Sequence, residues 1–390
     1  MPNEIQIYGD LKRWNDKSSG ARRHVEFHHP KAQGDMRPLG SFAYPQYEDQ
    51  NGKRASLLVG NAADSSKTPA VASPIGYKMM WDVADSGSKY RGSLWRPLPP
   101  NGYVSLGDIS VGHYDTPSTD EVWCVRAGLA VDADYDPASL WDGGDSGARM
   151  RVSVWGIAPP APNPSGSDKI AALDDMFRVS SEYTPPSMDL AKVLALPCPK
   201  NFTKFNATAP TCNKKNLPRG GDKFSELKQC EVVLPFTVFF PSTDRACLQQ
   251  ISRPFCRLAR TTAWYVHATH SNNSGGEISD KTTVTRGVSK TESTEMAHSA
   301  GVKISASYGI SGFGMGVSLN YQFTSTTTSS YNEYTESSRE QGFTVPPYHA
   351  TVFLVRHVWL KATRSDGTAV LRETGFNAND DIHLIGVKLR

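Results

Sequence analysis

Two stretches of the chain, "WDVADSGSKYRGSLWRPLPP" (Trp81–Pro100) and "WDGGDSGARMRVSVWGIAPP" (Trp141–Pro160), are copies of one pattern. Ten of their twenty positions are identical, at an offset of 60 residues. A repeat of this kind indicates that one supersecondary unit is used more than once. Each copy predicts a turn at Asp-Ser-Gly, a strand that ends at Trp95 or Trp155, and an exit through Pro-Pro.

A third and weaker copy precedes these two in our interpretation. The stretch "RPLGSFAYPQY" (Arg37–Tyr47) is similar to "RPLPPNGYVSL" (Arg96–Leu106). The 32 Gly and 26 Pro residues indicate many turns, and runs of Val, Thr, Tyr and Trp favour strands. We therefore predict an all-β protein whose first part is β-prism-like, with three related sheets arranged about an axis.

The charge and hydropathy patterns exclude several classes of protein. Lys and Arg total 42 and Asp and Glu total 39, which gives a net charge of +3 without any block of five like charges. Binding to nucleic acid is therefore not expected. No apolar run reaches the ~18 residues of a spanning helix, and the N-terminus lacks the apolar segment of a signal peptide. We expect a soluble monomer that is synthesised in the cytosol.

Four segments carry a family resemblance: "FAYPQYEDQNGKRASLLVGN", "LWRPLPPNGYVSLGDISV", "DEVWCVRAGL" and "WDGGDSGARMRVSVWGIAPP". They resemble the Vps62 family over about residues 34–196, which leaves residues 1–33 as an N-terminal arm. The resemblance implies a β-rich module without enzyme activity. By analogy with other β-prisms, this module is expected to bind a receptor such as a glycan. The aromatic residues that could stack on sugars are Trp95, Tyr103, Trp123 and Trp155; the alternative is that the tryptophans at strand ends belong to the core.

Acidic residues recur in pairs within the repeats, as Asp82 with Asp85 and Asp142 with Asp145. One interpretation is a repeated cation site. The other is turn chemistry, in which Asp and Ser side chains bond the local backbone. The sequence leaves both interpretations open and favours the second.

Catalytic and metal motifs are weak throughout the chain. His24, His28 and His29 lie close together, which fits either a metal site or an ordinary surface. The six cysteines form no Cys-x-x-Cys pair, so zinc is not expected, and their disulfide connectivity stays open. The chain has no Walker loop, no His-Glu-x-x-His and no Gly-x-Ser-x-Gly elbow. We predict no enzyme activity, no metal and no cofactor.

The second half contains "AGVKISASYGISGFGMGVSLNYQF" (Ala300–Phe323), which predicts a two-faced β-hairpin turning at Ser311-Gly312. Its arms have the length of a membrane-spanning strand, about 9–11 residues. The apolar residues, expected to face lipid, are Val302, Ile304, Ala306, Tyr308, Ile310, Phe313, Met315, Val317, Leu319, Tyr321 and Phe323. The small and polar residues, expected to face a lumen, are Lys303, Ser305, Ser307, Gly314, Gly316, Ser318, Asn320 and Gln322.

The flanks of this hairpin decide between a plain sandwich hairpin and a pore hairpin. Residues 281–299 carry eight Ser or Thr, and residues 324–338 carry ten. Strands of this composition lack a strong apolar face, so their register is weakly fixed and they could pair differently later. A single hairpin would leave unpaired backbone groups in lipid, so several chains must close a ring. The flanks therefore favour an oligomeric β-barrel pore.

This layout, together with "TVPP" at Thr344–Pro347, resembles the aerolysin-like (ETX/MTX2-type) β-pore-forming proteins over about Ala263–Leu371. The resemblance implies an elongated domain, residues 197–390, that oligomerises and inserts residues 300–323. Many members are toxins, including insecticidal ones, and others serve in defence. We expect a pore-forming toxin or defence protein that binds a target-cell membrane and a surface receptor. The alternative is a non-lytic, lectin-like carbohydrate-binding protein.

Overall fold

The computed structural model describes residues 3–6, 10–62, 68–84, 87–158, 169–172, 174–197, 203, 205–238, 242–243, 245–286, 337–364 and 366–390. Strands dominate these residues. The α-helix α1 (Arg245–Leu248) has four residues, and 3-10 turns occur at Ala127–Leu129, Met188–Leu190, Lys214–Asn216 and Phe236–Val238. The prediction of an all-β fold is confirmed. No helix in the described ranges has the length and hydropathy needed to cross a membrane.

The chain divides into two compact units, which we call the head and the body. The head consists of Met1–Ala161, Lys169–Leu196 and Pro235–Pro254. The body consists of Pro162–Asp168, Pro197–Leu234 and Phe255–Arg390. Pro235–Pro254 therefore belongs to the head, although both of its sequence neighbours belong to the body.

Three antiparallel sheets form the centre of the head. The first contains β2 (Asp10–Asn15), β3 (Glu26–Pro30) and β5 (Phe42–Tyr44). The second contains β8 (Gly76–Asp82), β9 (Ser93–Leu98) and β11 (Ile109–Val111). The third contains β14 (Asp134–Tyr135), β15 (Trp141–Asp142), β16 (Ser153–Ala158) and β18 (Phe177–Ser180). In each sheet the central strand (β3, β9 or β16) pairs with a neighbour on both sides.

Smaller sheets complete the head. They comprise β1 (Asn3–Gln6), β6 (Ser56–Val59) and β4 (Arg37–Pro38); β10 (Tyr103–Val104), β12 (Cys124–Arg126) and β7 (Val71–Ala72); and β13 (Ala130–Asp132), β19 (Lys192–Pro197) and β17 (Lys169–Ala172). Most strands of the head are short, so burial of side chains on a shared core must supply most of its stability.

One buried tryptophan from each central sheet meets the other two at the core. Trp14, Trp81 and Trp141 lie with ring centroids 5.2, 5.8 and 5.7 Å apart, in edge-to-face geometry. Each indole N–H donates to a carbonyl nine residues after the tryptophan of the next sheet. The acceptors for Trp14, Trp81 and Trp141 are Tyr90, Met150 and Arg23, at 3.2, 3.1 and 3.0 Å. The three bonds form a closed ring, which fixes the three sheets about one axis.

The third copy of the repeat begins at Trp14, earlier in the chain than Arg37–Tyr47, where we placed it. The backbone confirms the alignment, because the glycine six residues after each tryptophan has a positive φ. These glycines are Gly20, Gly87 and Gly147, with φ of 83°, 73° and 68°. Arg37–Tyr47 contains β5, the outer strand of the first sheet, which pairs with β3 as β11 pairs with β9 in the second sheet. Trp14 and Phe27 lie in the region we described as an arm, and both are buried in the head core.

A buried ion network joins the second and third sheets. The carboxylate of Asp108 accepts hydrogen bonds from Arg96 at 2.8 Å, from Arg178 at 2.8 Å and from the Val179 amide at 2.8 Å. Burial alone would raise the pKa of Asp108, but Arg178 and Arg96 hold it below its usual range. Removing one arginine would leave a buried carboxylate under-compensated, which is costly in a protein interior.

The body is built from long strands. Its four-stranded antiparallel sheet has the order β20 (Lys223–Pro235), β21 (Phe255–Asn272), β24 (His349–Arg364) and β25 (Ala369–Lys388). Its two-stranded sheet pairs β22 (Ile278–Arg286) with β23 (Ser337–Val345). Val266, Val352 and Leu354 form the centre of one apolar cluster on the large sheet.

Candidate functional site

The strands β22 and β23 form a ladder that we call the stem. Their pairing is in register from Ile278 opposite Val345 to Arg286 opposite Ser337. Thr, Ser and charged residues supply most of the stem, so it is largely exposed. Thr favours extended backbone, which explains why so polar a sequence forms strands. Because Arg286 and Ser337 are partners, the two residues that flank 287–336 in the sequence lie opposite each other at one end of the stem.

Few apolar side chains hold the stem on the rest of the body. Val284 of β22 and Phe343 and Val345 of β23 pack against Phe353 and Val355 of β24. Cross-strand contacts on the outer side are polar and exposed: Lys281 lies 3.3 Å from Glu340, and Thr285 Oγ1 lies 3.4 Å from Ser338 Oγ. Exposed pairs of this kind contribute little stability. The attachment of the stem therefore depends on a small apolar contact.

The end of the stem remote from residues 287–336 is fastened by one amide. Asn272, the last residue of β21, is buried at 1% exposure. Its Nδ2 donates to the carbonyls of Gly276 at 2.7 Å, Val345 at 3.0 Å and Pro346 at 3.2 Å. These bonds join the turn that enters β22 to the turn that leaves β23. The stem is thus fixed at its base, while its other end carries the long insertion.

Two histidines of β21 lie beneath the stem. The His270 ring packs on Phe343 with centroids 4.5 Å apart, and its Nδ1 lies 3.9 Å from Asp280. Burial lowers the pKa of His267, a hydrogen bond to the Thr283 backbone raises it, and His270 lowers it further. On β24, burial and then the nearby His267 and Lys223 lower the pKa of His357 to about 4. The sheet under the stem therefore favours the uncharged forms of His267 and His357.

The predicted insertion hairpin, residues 300–323, lies outside the described residues with all of its lipid-facing and lumen-facing positions. It falls entirely between Arg286 and Ser337, the paired ends of the stem. The two Ser/Thr-rich flanks continue into β22 and β23, and the parts of them that the structure describes are strands.

The four aromatic residues that we expected to stack on sugars differ in burial and in hydrogen-bond partner. Trp95 and Trp155 are buried at 5% and 7% exposure, and their indole N–H groups donate to Ser93 and Ser153. Each lies in the middle of its strand, not at its end. Tyr103 and Trp123 are half-buried. The Tyr103 hydroxyl donates to the Pro69 carbonyl, and the Trp123 indole donates to the Asp35 carbonyl.

The described acidic residues of the repeats act in local turns and ion pairs. The carboxylate of Asp82 accepts from the Ala84 amide at 3.0 Å, and that of Asp142 accepts from the Gly144 amide at 3.1 Å. Asp142 also pairs with Arg23, and Asp145 pairs with Arg22. Asp85 lies outside the described residues. Within the described chain, no three His, Cys, Asp or Glu side chains are grouped to hold a metal ion.

The N-terminal histidines contact different partners. His24 Nδ1 lies 2.8 Å from the Tyr47 hydroxyl, and His28 Nε2 lies 3.3 Å from the Glu26 carboxylate. The ring of His29 is buried between Ser41 and the Glu121 carbonyl, at 2.8 and 3.1 Å. Burial, and next the charge of Arg13, lowers the pKa of His29 to about 3, so this histidine is neutral at physiological pH.

The repeated head has a sequence counterpart among known families. Residues 5–216 match the family model described as vacuolar protein sorting-associated protein 62. The chain belongs to the Vps62 family. The match begins before Trp14 and so includes all three copies of the repeat, whereas the resemblance we drew from motifs begins at about residue 34. The Vps62 resemblance is confirmed.

Comparison with solved structures places two other proteins beside this Vps62 chain. The crystal structure of GNIP1Aa from Chromobacterium piscinae matches with 22% identity and a TM-score of 0.39, over 48% of this chain and 35% of GNIP1Aa. The crystal structure of Cry35Ab1 matches with 8% identity and a TM-score of 0.30, over 98% of this chain and 89% of Cry35Ab1. The chain thus matches about a third of the length of GNIP1Aa. A comparison with curated proteins finds no match.

Sequence reasoning missed two parts of the site. The stem base depends on Asn272, whose partner Val345 is far along the chain, and no local motif indicates such a contact. The copy that begins at Trp14 was detectable, because "WNDKSSGARRHV" shares Trp, Ser-Gly-Ala-Arg and Val with the copy that begins at Trp141. Its signal was diluted because His28 stands where the other copies have Trp95 and Trp155.

Proposed function

We propose that this Vps62-family protein is a β-barrel pore-forming toxin or defence protein. The head binds a target-cell surface, the body assembles with other copies, and residues 300–323 insert as a hairpin. The observation that carries the proposal is the stem. A weakly attached, hydroxyl-rich ladder holds together the two ends of a segment whose sequence alternates between apolar and polar residues over membrane-spanning lengths.

The stem supplies what a change of pairing requires. Its outer contacts are exposed and polar, so separating them costs little. Among the described residues, its buried apolar contact comes from Val284, Phe343 and Val345, and the base is held by Asn272. Release of the apolar contact would free the stem while the base keeps the hairpin attached to the body.

Assembly is required by the physics of the bilayer. A lone hairpin in lipid has two open edges, and each unpaired backbone group there costs several kcal/mol. A ring of hairpins from several copies pairs every edge. The alternating faces would then place Val317 and Leu319 toward lipid and Ser318 and Asn320 toward water. The functional state is accordingly a homo-oligomer at the target-cell membrane.

Paired arginine substitutions in the hairpin test the proposal. Val317→Arg places a charge on the lipid face, where it costs about 2–4 kcal/mol in each subunit at the membrane midplane. Ser318→Arg, its matched control, places the same charge on the lumen face. We expect the wild type and Ser318→Arg to release dye from phosphatidylcholine vesicles and Val317→Arg to release none. Equal release by both variants, with both folded, would contradict the proposal.

The runner-up is a non-lytic, lectin-like binding protein. Its supporting observation is the head, whose closed three-sheet core is complete without any membrane-inserting element. Negative-stain imaging of the protein on vesicles separates the two functions. Rings support the pore, and isolated particles without dye release support the binding protein.

A further inference from the structure

The head contains a cavity of about 570 Å³ that none of the predicted sugar-stacking residues lines. One wall begins at the last residue of β5, Tyr44, and continues with Glu48, Gln50 and Lys53. The other wall belongs to Pro235–Pro254. It includes Arg245, the first residue of α1, and Gln249, which follows α1. The volume is that of a small-molecule site, for which about 300–1,000 Å³ is usual.

The two segments that form the walls are bonded to each other through neighbouring residues, so the site is preformed. Asp175 binds Arg54 from one side and the Ser242 hydroxyl from the other. The Ala55 amide donates to the Ser242 carbonyl at 2.9 Å, which adds a backbone bond between the two segments. The guanidinium of Arg54 in turn lies 5.7 Å from the centre of the Tyr44 ring. A ligand would therefore meet walls that are already in place, which lowers the entropy cost of binding.

The loop that forms the first wall is also ordered by its own bonds. Gln50 is 3% exposed, and its Nε2 donates to the Glu48 carbonyl at 3.2 Å. The Lys53 amide donates to the Gln50 carbonyl at 3.0 Å, and Gly52 takes the positive φ of 74° that this turn requires. Lys53 and Glu48 are thereby held at the rim as a salt bridge of 3.4 Å.

The chemistry of the lining identifies the class of ligand. Carboxylate, amide, hydroxyl and ammonium groups supply both donors and acceptors, and the aromatic Tyr44 supplies an apolar face beside them. Such a lining suits a polyhydroxylated molecule. Lys53 is neutralised by Glu48, whereas Arg245 is exposed and forms no ion pair with any residue in the described part of the chain. The cavity therefore has one uncompensated cation, and guanidinium groups bind carboxylates in a bidentate manner.

We propose that this cavity binds a saccharide that carries a carboxylate, with Arg245 on the carboxylate and Tyr44, Gln50 and Gln249 on the sugar ring. This inference rests on the proposed function, since it names the chemistry by which the head docks on a cell surface. It replaces the four scattered aromatic residues with a single concave site in the head.

Calorimetric titration of the full chain in solution tests the assignment. The probe is the methyl glycoside of N-acetylneuraminic acid, and the neutral comparison is methyl galactoside. We expect the acidic sugar to bind at least tenfold more tightly than the neutral one. Absence of binding, or equal binding of both sugars, would overturn the proposal.

Two exposed substitutions locate the binding. Arg245→Gln removes the free cation and Gln249→Glu adds a carboxylate to the same wall, and each should weaken binding of the acidic sugar at least tenfold. Lys31→Gln, an equally exposed cation of the head outside the cavity, should leave binding unchanged. Unchanged thermal unfolding shows that the variants fold. Unaltered affinity in Arg245→Gln and Gln249→Glu would place the site elsewhere and refute the assignment.

The titration uses no membrane, so its failure is separable from failure of the pore. A protein that releases dye from vesicles but ignores the acidic sugar would refute only the cavity assignment. A protein that binds the sugar through Arg245 but never releases dye would refute only the pore.

Discussion

In the head, short strands from three copies of one pattern converge on a core that three tryptophans close, whereas in the body four strands of 13 to 20 residues form a single sheet. The head core takes side chains from every copy, and each indole is bonded to the next sheet. The stem of the body is attached through three apolar side chains and the buried Asn272.

This difference shows how one chain can combine a fixed part with a convertible part. In the head, any displacement of one sheet breaks aromatic contacts and indole hydrogen bonds together, so the arrangement is cooperative. In the stem, displacement exposes little apolar surface, because hydroxyl and charged groups already face water. Strands without a strong apolar face also specify their register weakly. The number of buried apolar side chains in each strand therefore decides whether the strand is held rigidly or can change its pairing.

The largest expected effect is that of Trp81→Ala, which opens a cavity in the closed core of the head. Loss of a buried aromatic side chain costs about 4 kcal/mol, within the usual range for such substitutions. Hydrogen exchange measured by mass spectrometry should show faster exchange in β8 and β9. The strands β21 and β24 should keep their protection, because their apolar clusters share no side chain with the head core. Uniform loss of protection in both units would contradict this separation.

Phe343→Ala should produce a smaller and more local effect in the body. The side chain is 8% exposed and is the largest of the three that attach the stem, so its loss should cost about 3 kcal/mol. Exchange should accelerate in β22 and β23 and remain unchanged in the head. Its matched control is the exposed neighbour Thr344→Ala, for which we expect almost no change. Protection of the stem that survives Phe343→Ala would mean that other contacts attach it.

Acidification should lower the stability of the body by about 2 kcal/mol relative to that of the head. In the body, the folded pKa of His357 is about 4 against 6.5 when unfolded, so its contribution to stability is present above pH 6.5 and is lost as the pH falls toward 4. The head has an opposing group, Asp174, which is buried. Burial, and next the charge of Asp175, raises the pKa of Asp174 to about 7.

In the head, the changes in stability that His29 and Asp174 contribute between pH 7 and pH 5 have opposite signs and nearly cancel. The pKa of His29 is about 3, so its contribution to the stability of the head falls by about 2 kcal/mol in this interval, as that of His357 does in the body. The contribution of Asp174 to the stability of the head rises by a similar amount, because its raised pKa favours the neutral carboxyl in the folded state. Exchange corrected for intrinsic rates should show a weakened body and a nearly constant head. Asp174→Asn should make the head weaken as well, and an unchanged head response in that variant would contradict the role of Asp174.

The smallest effect belongs to Lys281→Ala on the outer face of the stem. Its pairing with Glu340 is about 70% exposed at both ends, so its loss should cost less than about 1 kcal/mol. Exchange in β22 should rise slightly in low salt and not at all in high salt, because mobile ions screen exposed pairs. A salt-independent loss comparable to that of Phe343→Ala would show that polar contacts attach the stem.

The sequence was informative where a pattern is repeated or local. Two copies with ten identical positions were enough to predict related sheets, and Asp-Ser-Gly identified their turns. The copy that begins at Trp14 escaped detection because few of its residues match the copy that begins at Trp81 and because the buried His28 replaces a tryptophan, while Trp14 and Gly20 preserved its shape. A core needs only a few fixed residues, so structure persists after the sequence signal has faded.

The rest of the site depends on contacts between distant parts of the chain. The cavity brings Tyr44 together with Arg245, and the stem base brings Asn272 together with Val345. Neither juxtaposition follows from spacing, since both require knowledge of which strands pair. Burial of Trp95 and Trp155 agrees with the alternative stated from the sequence, that these tryptophans belong to the core, and each indole bonds the serine two residues before it.

The assignment of Pro235–Pro254 to the head has a consequence for biosynthesis. A ribosome has already translated all of β20 before it adds Ser242, the residue that Asp175 and Ala55 bind. The head therefore reaches its final form late, after part of its neighbour has been translated. A gene fragment that stops at the edge of the family match, residue 216, encodes a head without one of its own walls.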